Sequence, residues 1–175
     1  MIMKIIKIYI PFVYLMLALS VLLSGCIDDS PEIGEPFNRT SEIAGTWTLT
    51  KVMQNDEDAI SKGFPAFVQS LEVTQLFPFE ELVLSLGFDD QGNPSNFQVN
   101  PGDAPNIVDA LEGTWTLDDM DAPSELQFEN GNTLNIETYL GLGDGILNLK
   151  LTRYQVNSKN EKIPFLSYQY EFIKQ

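Results

Sequence analysis

From about residue 45 onward, apolar and polar side chains alternate with a period of two, which is typical of half-buried β-strands. In the first such stretch, Trp47 and Leu49 alternate with threonines, and Gly45 stands at its start. Seven further stretches share this period. Their apolar positions are Leu82 to Phe88, Phe97 and Val99, Trp115 and Leu117, Leu126 and Phe128, Leu134 and Ile136, Leu147 to Leu151, and Tyr168 to Phe172.

Turn sequences separate these stretches. Asn130-Gly131 is the clearest hairpin signal, and acidic turns follow Phe88 and Leu117. Eight short strands in chain order, each with one apolar face, predict an all-β domain. The expected architecture is an eight-stranded antiparallel up-and-down barrel over residues 42–175.

One stretch departs from alternation, between the first and second predicted strands. From Phe64 to Leu76, apolar residues recur at helical spacing, with Pro65 at the start and Pro78 beyond the end. Two interpretations remain open. The stretch is either a short helix that covers one mouth of the barrel, or an irregular loop packed by its own phenylalanines.

The first 25 residues have the pattern of a lipoprotein signal peptide. Lys4 and Lys7 precede an apolar run of 16 residues, Ile8 to Leu23, which is short for a membrane-spanning helix of about 20. The run ends in Leu23-Ser24-Gly25-Cys26, which resembles the bacterial lipobox. There the signal peptidase needs small residues before the cut, and the lipid transferase needs the thiol. Cys26 is therefore the expected site of acylation, and its acyl chains the expected membrane anchor.

An acidic, proline-containing segment follows, and we predict a flexible tether over residues 26–41. Asp28 and Asp29, directly after Cys26, resemble the export signal of surface lipoproteins in Gram-negative bacteria. They predict a lipid-anchored, surface-exposed protein of the bacterial outer membrane. The alternative is a periplasm-facing lipoprotein with an acidic solvated linker.

Charge and composition exclude several kinds of chemistry. The 175 residues include 25 acidic and ten basic side chains and no histidine, which argues against nucleic-acid binding and excludes histidine-based catalysis. A single cysteine excludes an internal disulfide. Clustered acids such as Asp118, Asp119 and Asp121 are expected to be solvated turns, with calcium binding as the open alternative. We therefore predict no enzyme activity, no metal and no cofactor.

The pentapeptide Gly-Thr-Trp-Thr-Leu occurs twice, at residues 45–49 and 113–117. Each glycine is expected to bend the chain into a strand, with the tryptophan filling the barrel. Gly45-Thr46-Trp47 is similar to the Gly-x-Trp motif of lipocalins, and the whole layout resembles small lipocalin-like lipoproteins of uncharacterised function. The resemblance implies a barrel closed by Gly45 and Trp47, with an arginine lying across the tryptophan. Arg153 is the expected arginine.

Two classes of function fit this fold. In the first, the barrel binds a small apolar or amphipathic ligand through inward aromatic side chains: Phe88, Phe97, Phe128, Tyr168, Tyr170 and Phe172. In the second, the same side chains fill the barrel, and the protein is an interaction or assembly module at the cell surface with a protein partner. Tyr168 and Tyr170 favour binding, because buried hydroxyls need partners and often mark a polar-lined cavity.

Cys26→Ser should leave the precursor uncleaved and without lipid, because the substituted hydroxyl offers no thiol to the transferase. The measurement is detergent-phase partitioning together with the mass of the protein in membranes. Ser24→Ala keeps a small residue before the cut and should be processed normally. A Cys26→Ser protein of mature size in the detergent phase would contradict the assignment.

Overall fold

A computed structural model describes residues 39–175, which contain nine strands and several short helices. The strands are β1 (Gly45–Asp56), β2 (Ser70–Glu72), β3 (Val83–Phe88), β4 (Pro94–Asn100), β5 (Glu112–Leu117), β6 (Glu125–Phe128), β7 (Thr133–Thr138), β8 (Ile146–Val156) and β9 (Lys162–Lys174). The α-helices are α1 (Arg39–Ile43), α2 (Glu57–Ser61) and α3 (Ala66–Gln69), and 3-10 turns cover Thr74–Leu76, Phe79–Glu81 and Leu142–Asp144. In this part of the chain, no helix has the length and apolarity needed to cross a bilayer.

Eight of the strands form a closed antiparallel ring, as the alternation predicts. Each strand from β3 to β9 pairs with its neighbour in the chain, and β1 pairs with both β3 and β9. The closing pair runs from Trp47 opposite Lys174 to Asp56 opposite Leu166. β2 lies outside the ring and adds to the far half of β1, with Asn55 opposite Ser70.

The segment between β1 and β3 is neither of the two structures considered from sequence. Helix α3 lasts only four residues after Pro65, since the chain becomes extended at Ser70 to pair with β1. Helix α2 begins where the Asp56 carboxylate accepts a hydrogen bond from the Ala59 amide at 2.9 Å. The apolar residues at helical spacing therefore lie on a helical turn, a strand and a 3-10 turn in succession.

One end of the barrel is sealed around Trp47. The side chain of Trp47 is fully buried, and its Nε1 donates to the carbonyl of Ile43 in α1 at 2.9 Å. Lys174 lies over the indole, with Nζ 5.2 Å from the ring centroid, and donates to the Glu42 carbonyl at 3.0 Å. We call this the closed end. Helix α1 and the last residues of β9 together hold it shut.

The prediction that Arg153 crosses Trp47 is therefore wrong. Arg153 pairs with Leu166, eight residues along β9 from the Lys174 that pairs with Trp47. At about 3.3 Å per residue, the two positions are separated by most of the length of the barrel. The cation at the closed end comes from the last strand and not from β8.

Both copies of the repeated pentapeptide have the predicted role. Gly45 and Gly113 have φ angles of +139° and +155°, which side-chain-bearing residues rarely adopt. A Cβ on Gly45 would also lie 2.7 Å from Cε of Lys174. Trp115, like Trp47, is buried, and its Nε1 donates to the Gly87 carbonyl at 3.0 Å. Each glycine thus opens a strand that buries a tryptophan two residues later.

The folded domain begins earlier than the sequence predicts. Arg39 lies over the ring of Tyr139 at 4.7 Å, and the hydroxyl of Thr40 donates to the carbonyl of Met120. The predicted tether over residues 26–41 therefore overlaps the domain by three residues, because polar side chains in α1 pack across distant turns. The predicted signal peptide over residues 1–25, the predicted acylation site Cys26 and the predicted export signal at Asp28 and Asp29 lie outside the described residues.

Trp47→Ala should lower the free energy of unfolding by about 3–5 kcal/mol, because it empties the closed end. Lys174→Met should cost roughly 0.5–2 kcal/mol through the lost cation–π contact. Urea unfolding of the single and double variants gives the coupling energy. Arg153→Met is the control and should show no coupling to Trp47. Coupling to Arg153 and none to Lys174 would contradict this arrangement.

Candidate functional site

The end of the barrel opposite Trp47 is open, because three strands extend beyond the others. The pairing of β8 with β9 continues as far as Val156 opposite Lys162, whereas β7 stops beside Lys150. β1 likewise runs past its last β3 partner, Thr48, to Asp56. The far halves of β1, β8 and β9 therefore form an overhanging wall.

A second wall faces the overhang and comes from the segment before β3. The amide of Val73 donates to the Val52 carbonyl at 3.0 Å, and the Val52 amide donates to the Thr74 hydroxyl at 3.0 Å. These bonds fix the segment against β1. Phe79 is buried behind it and meets Phe77 edge-to-face, with ring centroids 5.7 Å apart.

Between these walls lies an open pocket of about 530 Å³, which we call the open-end pocket. Its size falls in the range of roughly 300–1,000 Å³ usual for small-molecule sites. Ten apolar residues line it: Leu71, Val73, Leu76, Phe77, Phe79, Pro105, Ile107, Leu151, Phe165 and Leu166. The polar lining consists of Gln54, Asn106, Arg153, Tyr168 and Tyr170, with no carboxylate among the lining residues.

Two of the six predicted ligand-binding aromatics, Tyr168 and Tyr170, line this pocket. The other four do not line it and pack elsewhere. Phe97 and Phe128 meet edge-to-face in the core at 4.7 Å, and Phe88 packs against Trp115 at 5.5 Å. Phe172 is fully buried. Phe97, Phe128 and Phe172 are thus part of the buried core, Phe88 is partly buried against it, and none of the four lines the pocket.

Several lining residues lie outside the predicted set. Leu71 and Leu76 come from the stretch at helical spacing. That spacing indicates an apolar surface, but it does not indicate where in the fold the surface lies. Arg153 comes from β8, where it shares a face with Leu151. The alternation does predict that shared face, since residues two apart point the same way. Ile107 lies in the loop between β4 and β5, where no periodic signal marks it.

The hydroxyl of Tyr170 is the most unusual polar group in the pocket. Tyr170 is 5% exposed, yet within residues 39–175 its hydroxyl makes no hydrogen bond. Its ring stacks on that of Tyr168, with centroids 6.2 Å apart and planes 13° from parallel. Burial raises the pKa of Tyr170, as does the neighbouring Tyr168, while Arg153 opposes the shift. A donor without a protein partner therefore faces the open-end pocket.

The acidic turns lie elsewhere and are occupied by local hydrogen bonds. Asp118 accepts from the amides of Ser124 and Glu125 at 2.8 and 2.9 Å. Burial opposes its ionisation, but the hydrogen bonds from Ser124 and Glu125 prevail and lower the pKa of Asp118 to about 2. Asp119 accepts from the Asp121 amide at 2.8 Å. Among residues 39–175, no group of three or more acidic residues is arranged to hold a metal ion.

Stability should fall above pH 10 in part because of Tyr170. The pKa of Tyr170 is raised in the folded state. Its contribution to the free energy of unfolding is therefore fully present below the pKa of tyrosine in the unfolded chain, about 10, and is lost as the pH rises further. In Tyr170→Phe, the loss of stability between pH 8 and pH 10.5 should be smaller, as measured by urea unfolding. Tyr154→Phe removes an exposed hydroxyl from the same hairpin and should retain the wild-type loss. An identical loss in all three proteins would contradict this prediction.

The comparison with protein families agrees with the extent of this fold. Residues 24–172 match a family described as a domain of unknown function, DUF5004. No curated protein matches the chain. Since the match covers the whole barrel up to Phe172, the chain belongs to the DUF5004 family.

Proposed function

We propose that this domain is a non-enzymatic binding protein that takes a small amphipathic molecule into the open-end pocket. The observation that carries the proposal is the pocket itself, about 530 Å³ of mainly apolar surface at an open barrel end. A few placed polar groups among apolar walls are how small-molecule sites are usually built. Here those groups are Gln54, Asn106, Arg153 and the two tyrosines.

The unpartnered hydroxyl of Tyr170 supports a ligand rather than a filled interior. The Tyr170 side chain is 5% exposed as a whole, but its hydroxyl is not among the described side-chain atoms that are both sealed from solvent and without a partner. The hydroxyl is therefore accessible from the pocket and free to donate to a ligand. In an interior packed only for stability, phenylalanine would fill the same space. The hydroxyl faces a space with room for a ligand atom.

The chemistry of the chain favours binding over catalysis. There is no histidine in the sequence, and no carboxylate lines the pocket. Tyr170 has its pKa raised, which keeps its hydroxyl protonated at neutral pH and makes it a hydrogen-bond donor rather than a base.

We further propose that the domain is held at the bacterial outer membrane by acyl chains on Cys26, with Asp28 and Asp29 as the signal for surface display. Arg39, the first described residue, lies at the closed end, and the pocket opens at the other end. The 12 residues between Cys26 and Arg39 would reach at most about 40 Å when extended.

An interaction module is the second candidate, and exposed apolar residues beside the mouth favour it. Phe67 is 85% exposed, and Phe64 and Val68 near it are also exposed, although none of the three lines the pocket. Clustered exposed apolar side chains commonly mark a protein-binding surface. This surface, defined by Phe64, Phe67 and Val68, is the α3 surface.

Binding of N-phenyl-1-naphthylamine, a neutral probe that fluoresces in apolar sites, tests the first proposal. Leu76→Glu places a charge in the pocket wall at a side chain that is 63% exposed, so the fold should tolerate it. We expect about tenfold weaker probe binding, equivalent to about 1.4 kcal/mol. The full chain is measured in lipid nanodiscs, with empty nanodiscs subtracted.

Phe67→Glu is the matched control, because it places the same charge on the α3 surface outside the pocket. It should bind the probe within twofold of wild type. Equal binding by both variants, or no saturable binding by wild type, would contradict the pocket proposal. Loss of a co-purifying surface protein in Phe67→Glu alone would favour the interaction module.

A further inference from the structure

The lining of the open-end pocket includes one solvent-exposed arginine, Arg153. Arg153 is the only cation among the lining residues, and the lining includes neither aspartate nor glutamate. Within residues 39–175, Arg153 makes no ion pair and no hydrogen bond. Two other basic residues of β8 and β9 differ in this respect: Lys150 binds Glu57 at 2.9 Å and Lys174 lies near Glu42.

Strand register brings Arg153 to the same wall as the two tyrosines. Leu151 lies opposite Tyr168, and Arg153 follows Leu151 by two residues on the same face of β8. Arg153 also lowers the pKa of Tyr170 against the larger effect of burial, in keeping with its place on the same wall. The wall therefore presents a guanidinium and two phenol hydroxyls toward one space.

This positive charge stands out against the rest of the domain. Residues 39–175 contain 21 acidic and eight basic side chains. Yet the hairpin from residue 153 to residue 162 contains Arg153, Lys159 and Lys162 and one acid, Glu161. The Glu161 carboxylate accepts from the side-chain amide of Asn157 at 2.7 Å. The hairpin beside the pocket is thus locally positive on a strongly negative domain.

We propose that the ligand of this pocket is an amphiphile with a single anionic head group, a carboxylate or a phosphate, bound by Arg153 and the hydroxyl of Tyr170. This inference rests on the proposed function and specifies its ligand class. The hydrocarbon part lies against Leu71, Leu76 and Phe77 on the opposite wall.

The chemistry of the guanidinium supports an anion. Arginine forms paired hydrogen bonds to carboxylate and phosphate oxygens, and these charge-assisted bonds are about twice as strong as neutral ones. A neutral head group would leave the exposed guanidinium of Arg153 without a counterion and would gain no charge-assisted hydrogen bond. A cationic head group would be repelled. The Tyr170 hydroxyl can donate to the same anion, since its raised pKa keeps it protonated.

Isothermal titration calorimetry with four probes that share a 12-carbon chain tests this inference. They are dodecanoate, monododecyl phosphate, 1-dodecanoylglycerol and dodecyltrimethylammonium, each below its micelle concentration, with full chain in nanodiscs and empty nanodiscs subtracted. At least one anionic probe should bind tenfold or more tightly than the neutral and cationic probes. The ratio of dodecanoate to monododecyl phosphate affinity identifies the head group.

Arg153→Gln should weaken binding of the preferred anion at least tenfold and binding of the neutral probe less than twofold. Arg153→Lys keeps the charge without the paired donors and should recover part of the affinity. Lys159→Gln removes a charge from the same hairpin at a residue that does not line the pocket, so anion binding should stay within twofold of wild type. Thermal unfolding of each variant checks that the fold is retained.

The outcomes separate this inference from the function on which it rests. Equal affinity for neutral and anionic probes, or an unchanged anion affinity in Arg153→Gln, would overturn the proposal of an anionic ligand. Either result would leave the proposal of a binding pocket unaffected. An equal loss in Lys159→Gln and Arg153→Gln would also overturn it, because general charge would then explain the effect. Failure of all four probes to bind would overturn the binding function itself.

Discussion

The pairing of β1 with β9 is the constraint on which the rest of the structure depends. It converts a sheet with two open edges into a ring, and an open edge exposes unpaired backbone groups. One end of the same pairing places Lys174 beside Trp47, and the other end places Tyr168 beside Gln54. A register shift near Thr50, whose hydroxyl donates to the Glu171 carbonyl at 3.0 Å, lies between the two. One strand pair thus provides both the closed end and a wall of the pocket.

The two ends of the barrel satisfy their polar groups in different ways. At the closed end, the indole nitrogen of Trp47 and the ammonium of Lys174 both donate to backbone carbonyls of the last two residues of α1. At the open end, the Tyr170 hydroxyl and Arg153 have no such acceptors within the described residues. No carboxylate lines the pocket there. The closed end is therefore fixed by hydrogen bonds within the domain, whereas the open end leaves polar groups facing the pocket.

The strands of the fold were predictable from sequence, and the position of residues along the barrel was not. Period-two alternation indicates which face a residue occupies, so Trp47, Tyr168 and Tyr170 were predicted to point inward, and they do. Alternation does not indicate the position of a residue along the barrel axis, because that position depends on the lengths of the strands and on the stagger between them. Arg153 was therefore assigned to the wrong end, although its face was right. Phe172 and Tyr170 show the same limit, since they are two residues apart on one face and only Tyr170 reaches the pocket.

The stretch from Phe64 to Leu76 does not form the continuous helix that its periodicity favours, because tertiary contacts oppose it. Its spacing favours a helix, but pairing with β1 holds Ser70–Glu72 extended, and a hydrogen bond to Val52 fixes the residue that follows. Local preference is weak for so short a stretch and is readily overridden by such contacts. The boundary between the tether and the folded domain was placed too late for a similar reason. Arg39 and Thr40 contact residues about 80 to 100 positions away in the chain, and local sequence does not indicate such partners.

Closure of the ring by β1 and β9 also sets the order in which the domain can fold. The hydroxyl of Thr50 and its acceptor on Glu171 are 121 residues apart, and contacts of such separation make barrels slow to fold. The hairpins from β3 to β8 can form as the chain emerges, but the ring cannot close until β9 has been synthesised. A nascent chain would therefore stay incompletely folded until translation has reached the end of β9 at Lys174. Until then β1 lacks its closing partner, so the two edges of the unfinished sheet stay unpaired.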